Sequence, residues 1–184
     1  MKQLFTITLL LIISPASFSQ KKQKEINPLD TIYQLKNGKA NYTEVVIAEG
    51  VKKNALYIAA KKWIVNSYKS AKAVIELDDK EAGEIITKGN FDVYSDKIMG
   101  MPIVQTVYHV LKIAVKDGKY RYEFTDFKVK DAVSTSSEDL LKNGEPMYHK
   151  KTIYKFREAF DKEVKSFAAD LKFAMSNANK VEDF

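Results

Sequence analysis

The residues best suited to acid–base chemistry in this sequence are His109 and Asp126. They lie in two β-type runs that meet at Asp117-Gly118, a dipeptide that readily adopts the positive φ angles of a two-residue hairpin turn. Counted outward from such a turn, His109 comes to face Asp126 across the two strands. A carboxylate held against an imidazole could orient that ring as a general base, so this pair is the candidate catalytic site.

The other parts of an active site are not recognisable. The sequence contains no cysteine and only two histidines, and it has neither a GxSxG nor an HExxH motif. The acidic turn from Asp78 to Gly83 lacks the ligand spacing of a calcium loop and has Lys80 at its centre. We therefore expect no metal and no cofactor. A non-enzymatic protein is favoured, with a small hydrolase-like enzyme built on His109 and Asp126 as the alternative.

Two geometries of the hairpin are consistent with its sequence. Close to the turn, one face is uniformly apolar, and the residues predicted to be buried there are Leu111, Ile113, Val115, Tyr120, Tyr122 and Phe124. Farther out, a strict register puts His109 and Asp126 on the buried face and leaves Phe127 outside. A β-bulge near Thr125-Asp126 would instead turn Phe127 and Val129 inward and Asp126 outward. The bulge is the favoured interpretation, because isolated polar pairs are usually structural.

The strict register also predicts an apolar and aromatic patch on the outer side of the hairpin. Its members are Val104, Thr106, Tyr108, Val110 and Phe127. Exposed patches of this kind usually mark a contact. The leading hypothesis is accordingly a binding or interaction module that uses the open sheet face. Its partner could be an envelope protein, a glycan, a lipid or a second copy of the chain in a homodimer.

Hydrophobic periodicity predicts the elements that carry the hairpin. Strands are predicted over 42–48, 72–78 and 84–94, and helices over 53–68 and 151–177. With the two strands of the hairpin, the predicted fold is α+β, in the order strand–helix–four strands–helix. It is a curved five-stranded antiparallel sheet with two helices packed on one face.

Four residues lead to predictions about local structure. Trp63 lies on the apolar stripe of the first helix and is predicted to be a core anchor rather than a ligand-stacking residue. Ile75 and Leu77 both point inward if the second strand alternates regularly. Gly89, inside the third strand, predicts a bulge or a sharp bend.

The segments TEVVIAEGVKKNALYIAAKKWIVNSY and AVIELDDKEAGEIITKGN, followed by the hairpin, resemble an exported bacterial family. This is the domain-of-unknown-function family DUF4468, described as having a TBP-like fold. The resemblance covers Tyr42 to Asp131, about half of the chain. It implies the strand–helix–four strands–helix order given above. It implies no activity, and the TBP-like label describes a shape rather than DNA binding.

The N-terminus is typical of a secretory signal peptide over residues 1–19. Lys2 precedes an apolar run from Leu4 to Ile13, and small residues predict cleavage between Ser19 and Gln20. The run is too short to span a membrane. We therefore expect an exported chain, periplasmic or extracellular, with no transmembrane segment after cleavage.

The remaining predictions concern organisation and charge. A flexible leader over 20–40 precedes a single domain over 41–178, which contains a polar connection at 131–150; residues 179–184 form a frayed tail. Asp30-Thr31-Ile32 is a weak signal for O-glycosylation.

The net charge is +6, but only Arg121 and Arg157 are arginines, and scattered lysines are typical of a solvated surface. Nucleic acid is therefore a poor partner, whereas a lysine-mediated binder of anionic glycan or lipid is a further alternative.

Overall fold

The computed structural model describes residues 35–36, 39–68, 74–130 and 150–181. Several predicted features lie outside these residues: the signal peptide over 1–19, most of the leader with its Asp30-Thr31-Ile32 motif, nearly all of the polar connection over 131–150, and the last residues of the tail.

The described chain forms seven strands and two α-helices. In chain order they are β1 (Leu35–Lys36), β2 (Lys39–Ala40), β3 (Tyr42–Ile47), α1 (Lys53–Ser67), β4 (Ile75–Asp79), β5 (Glu84–Ile98), β6 (Met101–Lys116), β7 (Lys119–Val129) and α2 (Lys150–Ser176). Strands β3 to β7 form one antiparallel sheet in the order β3-β7-β6-β5-β4. Both helices pack on one side of it, here called the inner face; the opposite side is the outer face. The predicted fold class is confirmed.

The last residues of the predicted leader form a small ribbon. Leu35 pairs with Ala40 and Lys36 with Lys39, and Ala40 is buried in the hydrophobic core. The intervening Asn37-Gly38 is itself a strong hairpin signal. The end of the 20–40 segment therefore belongs to the folded part of the chain.

The turn at Asp117-Gly118 fixes the hairpin and also the start of α1. Gly118 has a φ of 73°, and next to it Val115 pairs with Tyr120, as predicted. The Lys53 amide at the start of α1 donates a 2.8 Å hydrogen bond to Asp117 Oδ1. Free amides at a helix start need such an acceptor, so the hairpin turn supplies the cap that α1 lacks in its own sequence.

The inner face and the two helices enclose the core. Trp63 is buried on α1, as predicted, and α2 contributes Phe160, Val164 and Leu171 from its apolar stripe. The six predicted core residues of the hairpin are all buried as well: Leu111, Ile113, Val115, Tyr120, Tyr122 and Phe124. The sheet is therefore closed by its own helices on this side.

Two local expectations are wrong. Leu77 points outward, opposite Ile86, because a register shift separates it from Ile75. Gly89 pairs regularly with His109, and no bulge lies there. Instead the ring of Tyr68 fills the space beside it, since a Cβ on Gly89 would lie 2.1 Å from a ring carbon. The glycine serves a close approach, which is the other reason for glycine inside a strand.

Candidate functional site

The hairpin contains a β-bulge at the predicted place. Val110 pairs with Thr125, but Tyr108 pairs with Lys128, so β7 holds one extra residue. Asp126 adopts a φ of 53°, a left-handed conformation that Asp tolerates better than most residues. Beyond this point the alternation of β7 is reversed, and Phe127 turns into the core.

The bulge was the favoured interpretation, and the alternative, a His109–Asp126 pair in a strict register, is wrong. His109 is 2% exposed and lies among the core residues, whereas Asp126 is exposed on the other side of the strand. A single inserted residue is enough to separate them, because side chains alternate between faces with a period of two. Among the described residues no carboxylate orients the imidazole, and the catalytic alternative loses its second member.

The surroundings of His109 are those of a structural residue. Its Nε2 shares a 2.8 Å hydrogen bond with the Tyr68 hydroxyl, and its ring packs against Phe91 and Phe124 at centroid distances of 5.2 and 5.6 Å. Burial lowers the pKa of His109 to about 4 and raises that of Tyr68. The imidazole is neutral at physiological pH and is out of reach of a solvent-borne substrate.

The outer face carries exposed apolar side chains at one end of the long β5–β6 hairpin. We call Tyr94, Val104 and Tyr108 the distal patch. Tyr94 pairs with Val104 across the two strands, and the two tyrosines are 64% and 42% exposed. Four residues separate the rows of Tyr94 and Tyr108, a distance of about 13 Å along the sheet.

The predicted patch is present only in part. Val104 and Tyr108 are exposed on the outer face, with half-buried Thr106 and Val110 on the same face. Phe127 does not belong to the patch, contrary to the prediction. The bulge places it in the core, where it contacts Phe160 edge-to-face at 4.8 Å. Tyr94 was not among the predicted members of the patch. It lies within the predicted third strand, but only the register between β5 and β6 places it beside Val104.

The distal patch lies toward the end of the β5–β6 hairpin that extends beyond the neighbouring strands. The last pair between β6 and β7 joins Val107 to Val129, whereas β5 and β6 continue to Ile98 and Met101. The tip is a tight turn at Met99-Gly100, where both residues have positive φ angles. Met99 at this tip is fully open to solvent.

Polar groups of both signs surround the distal patch. Thr106 donates a 2.7 Å hydrogen bond to Asp92, and Lys88 forms an ion pair with Glu76 at 3.2 Å. Nearer the turn, Lys112 lies opposite Glu123. Lys128 also lies opposite Tyr108, so the distal patch is bordered by charges of both signs.

Charged groups on the inner side tie the helices to the sheet. Lys61 on α1 holds Asp78 at 2.6 Å, and Tyr57 also donates to this carboxylate. Lys155 on α2 pairs with Asp96 at 2.7 Å. These hydrogen bonds lower the pKa values of Asp78 and Asp96, chiefly through Lys61 and Lys155 respectively. Their arrangement explains helix docking rather than catalysis.

Other candidate sites in the described residues offer little chemistry. A shallow depression of about 470 Å³ on α1 is lined by Ile58, Lys61, Lys62, Val65 and Asn66. Within the described part of the chain, no group of three or more His, Asp or Glu residues is close enough to hold a metal ion. None of the helices described is long and apolar enough to cross a membrane.

Comparisons with known proteins agree with this fold. Residues 42–130 match the family model of the domain of unknown function DUF4468 with TBP-like fold, which confirms the predicted resemblance over that segment. A TBP-like protein from Parabacteroides distasonis has a TM-score of 0.67 at 20% identity, covering 79% of this chain and 98% of its own. A DUF4468 family protein from Bacteroides ovatus has a TM-score of 0.66 at 14% identity, covering 79% and 91%. No curated protein matches the chain. At these identities the structural likeness shows the fold alone.

Proposed function

We propose that this chain, whose residues 42–130 match the DUF4468 family, is a non-enzymatic binding module of the cell envelope. The distal patch on the outer face is its binding surface. The proposal rests on the exposure of Tyr94 and Tyr108 on the outer face of a sheet whose inner face is packed against the two helices. The signal-peptide-like N-terminus supports an exported location.

The contrast between the two faces supports a contact surface. Neighbours in β6 alternate between Val107, which is fully buried, and Tyr108, which is exposed. Burying such apolar area stabilises a complex by about 25 cal/mol per Å² before the costs of association. No described element covers the patch, so this driving force remains available for a partner.

The composition of the patch favours a protein partner. Tyrosine is enriched in protein interfaces. Val104 supplies aliphatic area that a sugar would not need. A lysine-mediated contact is less favoured, because Lys88 and Lys112 each lie next to a carboxylate on this face, and Lys128, opposite Tyr108, adds a single positive charge at the border of the patch.

Site-specific crosslinking from the native envelope tests this proposal. A photoreactive residue at Tyr94 is expected to capture a discrete protein, and the same residue at Phe173, an exposed position on α2, is expected not to. The capture should be lost when Tyr108→Ala is added, with the thermal unfolding midpoint unchanged.

Two results would contradict the proposal in different ways. Identical products from Tyr94 and Phe173 would remove the distal patch as the binding surface. Sedimentation with insoluble envelope polysaccharide that depends on both tyrosines would replace the protein partner with a glycan.

A further inference from the structure

The two edges of the sheet differ in how they are protected. Natural proteins blunt exposed strand edges with bulges, charges, proline or short length. The β4 edge has several of these devices: it is five residues long, contains a register shift after Ile75, and carries Glu76 and Asp79. Another strand would add to this edge only with difficulty.

The β3 edge has neither a bulge nor a proline. Its six residues pair with β7 in an unbroken register, and they include neither proline nor lysine. On the outer side Val45 and Ile47 are 58% and 63% exposed. No strand among the described residues pairs with its free edge.

The one charged residue of β3 does not guard this edge. Glu44 points to the inner face, where Tyr122 donates a 2.6 Å hydrogen bond to its carboxylate and Lys172 a 3.0 Å bond. Its outer-face neighbours are Thr43 and Val45. The outer row of the edge is therefore uncharged and suited to pairing.

We propose that β3 pairs antiparallel with β3 of a second copy of this chain. With the two-fold axis at Val45, the two Val45 side chains face each other and Thr43 faces Ile47 of the other copy. Glu44 then lies opposite Val46. Moving the axis to Glu44 would oppose two carboxylates, and like charges directly opposite are destabilising.

The consequence is a continuous ten-stranded sheet. The apolar residues of β3 are grouped around Val45, so the strand is complementary to itself across a two-fold axis. An isologous interface requires this self-complementarity. A strand pair of this length is smaller than a standard interface, so the dimer should dissociate on dilution into the micromolar range.

Analytical ultracentrifugation of the protein purified after export tests this pairing. Val45→Glu is the informative variant, because Val45 lies opposite Arg121 on β7, so the monomer gains an opposite-charge pair while the dimer seam gains two facing carboxylates. We expect at least a tenfold weaker dimer than in the parent chain. Leu77→Glu, the matched change on the β4 edge, should leave the dimer unchanged.

The absence of cysteine gives a second readout that does not depend on charge. Under mild oxidation Val45→Cys should form a disulfide-linked dimer, because facing Cβ atoms in a strand pair are about 4.5–5.5 Å apart. Glu44→Cys and Leu77→Cys should react far more slowly. The pairing would be overturned by a parent chain that stays monomeric at about 100 μM. Equal crosslinking of all three cysteine variants would overturn it as well.

Discussion

Protonation of His109 should destabilise the fold as the pH falls below neutral. The imidazole has a pKa of about 4 in the folded chain because it is buried, against 6.5 in an exposed histidine. Between these values the unfolded chain binds a proton that the folded chain does not. The free energy of unfolding therefore rises with pH across this window and is flat above it.

The magnitude follows from the two pKa values. A difference of about 2.5 pH units corresponds to about 3.4 kcal/mol once the pH is below both values. Between pH 7 and pH 5 the loss is about 2 kcal/mol, because the folded state is still almost unprotonated at pH 5. Carboxylates such as Asp78 add their own loss only at lower pH, since their pKa values lie below the ordinary range.

Urea unfolding followed by fluorescence measures this loss. Trp63 is the single tryptophan and packs edge-to-face on Tyr68 at 6.1 Å, so it reports on the core around His109. In His109→Phe the loss between pH 7 and pH 5 should largely vanish. At pH 7 the variant should be less stable than the parent chain by about 1–3 kcal/mol, because the Tyr68 hydroxyl loses its partner. This difference should shrink by about 2 kcal/mol at pH 5, where the parent chain has lost that much stability. His149→Gln is the control and should retain the full loss. An equal pH dependence in the parent chain and in His109→Phe would refute the reasoning.

Substitutions at three further positions test single features of the fold. Gly89→Ala should lower the free energy of unfolding by about 1–3 kcal/mol, because the new methyl group displaces the ring of Tyr68; a neutral result in urea unfolding would contradict the close approach. Asp117→Ala should cost about 1 kcal/mol by removing the acceptor of the Lys53 amide. Exchange of the Lys53 amide hydrogen should speed up in this variant, and less so in Asp117→Asn, whose side-chain oxygen can still accept. Asp126→Gly should raise the thermal midpoint because glycine relieves the positive φ angle, whereas Asp126→Val should lower it; the reverse order would argue against the bulge.

The parts of the fold that depend on neighbouring residues were predictable. Asp117-Gly118 fixed the register of the hairpin, since a two-residue turn leaves one pairing and one buried face. The conflict between His109 and Phe127 also identified the place of the bulge. A strict register cannot place His109 and Phe127 on the same face of the hairpin. One inserted residue, a β-bulge, is the shortest change that buries both.

The parts that depend on distant residues were not predictable. The space beside Gly89 is filled by Tyr68, and Asp117 caps a helix that begins at Lys53; neither contact leaves a periodic signal. Leu77 was placed wrongly because the register shift beside it has no glycine or proline to mark it. For the candidate site, Val104 and Tyr108 followed from alternation, whereas placing Tyr94 beside Val104 required the register between β5 and β6.

Self-pairing of β3 would change how the distal patch binds. An axis that pairs the two strands stands perpendicular to the sheet, so both outer faces look the same way and each dimer displays two patches on one side. On an envelope that carries many partner molecules the second contact becomes intramolecular, and retention can exceed the single-patch affinity by about 10²–10⁴.

Val45→Glu separates pairing from binding, since it leaves Tyr94 and Tyr108 in place. We expect unchanged affinity for an isolated partner in solution, measured by calorimetry, and at least tenfold weaker retention on envelope fragments, measured by sedimentation. Equal retention of the variant and the parent chain would contradict the two-patch mechanism. A weaker affinity for the isolated partner would instead place Val45 within the binding surface itself.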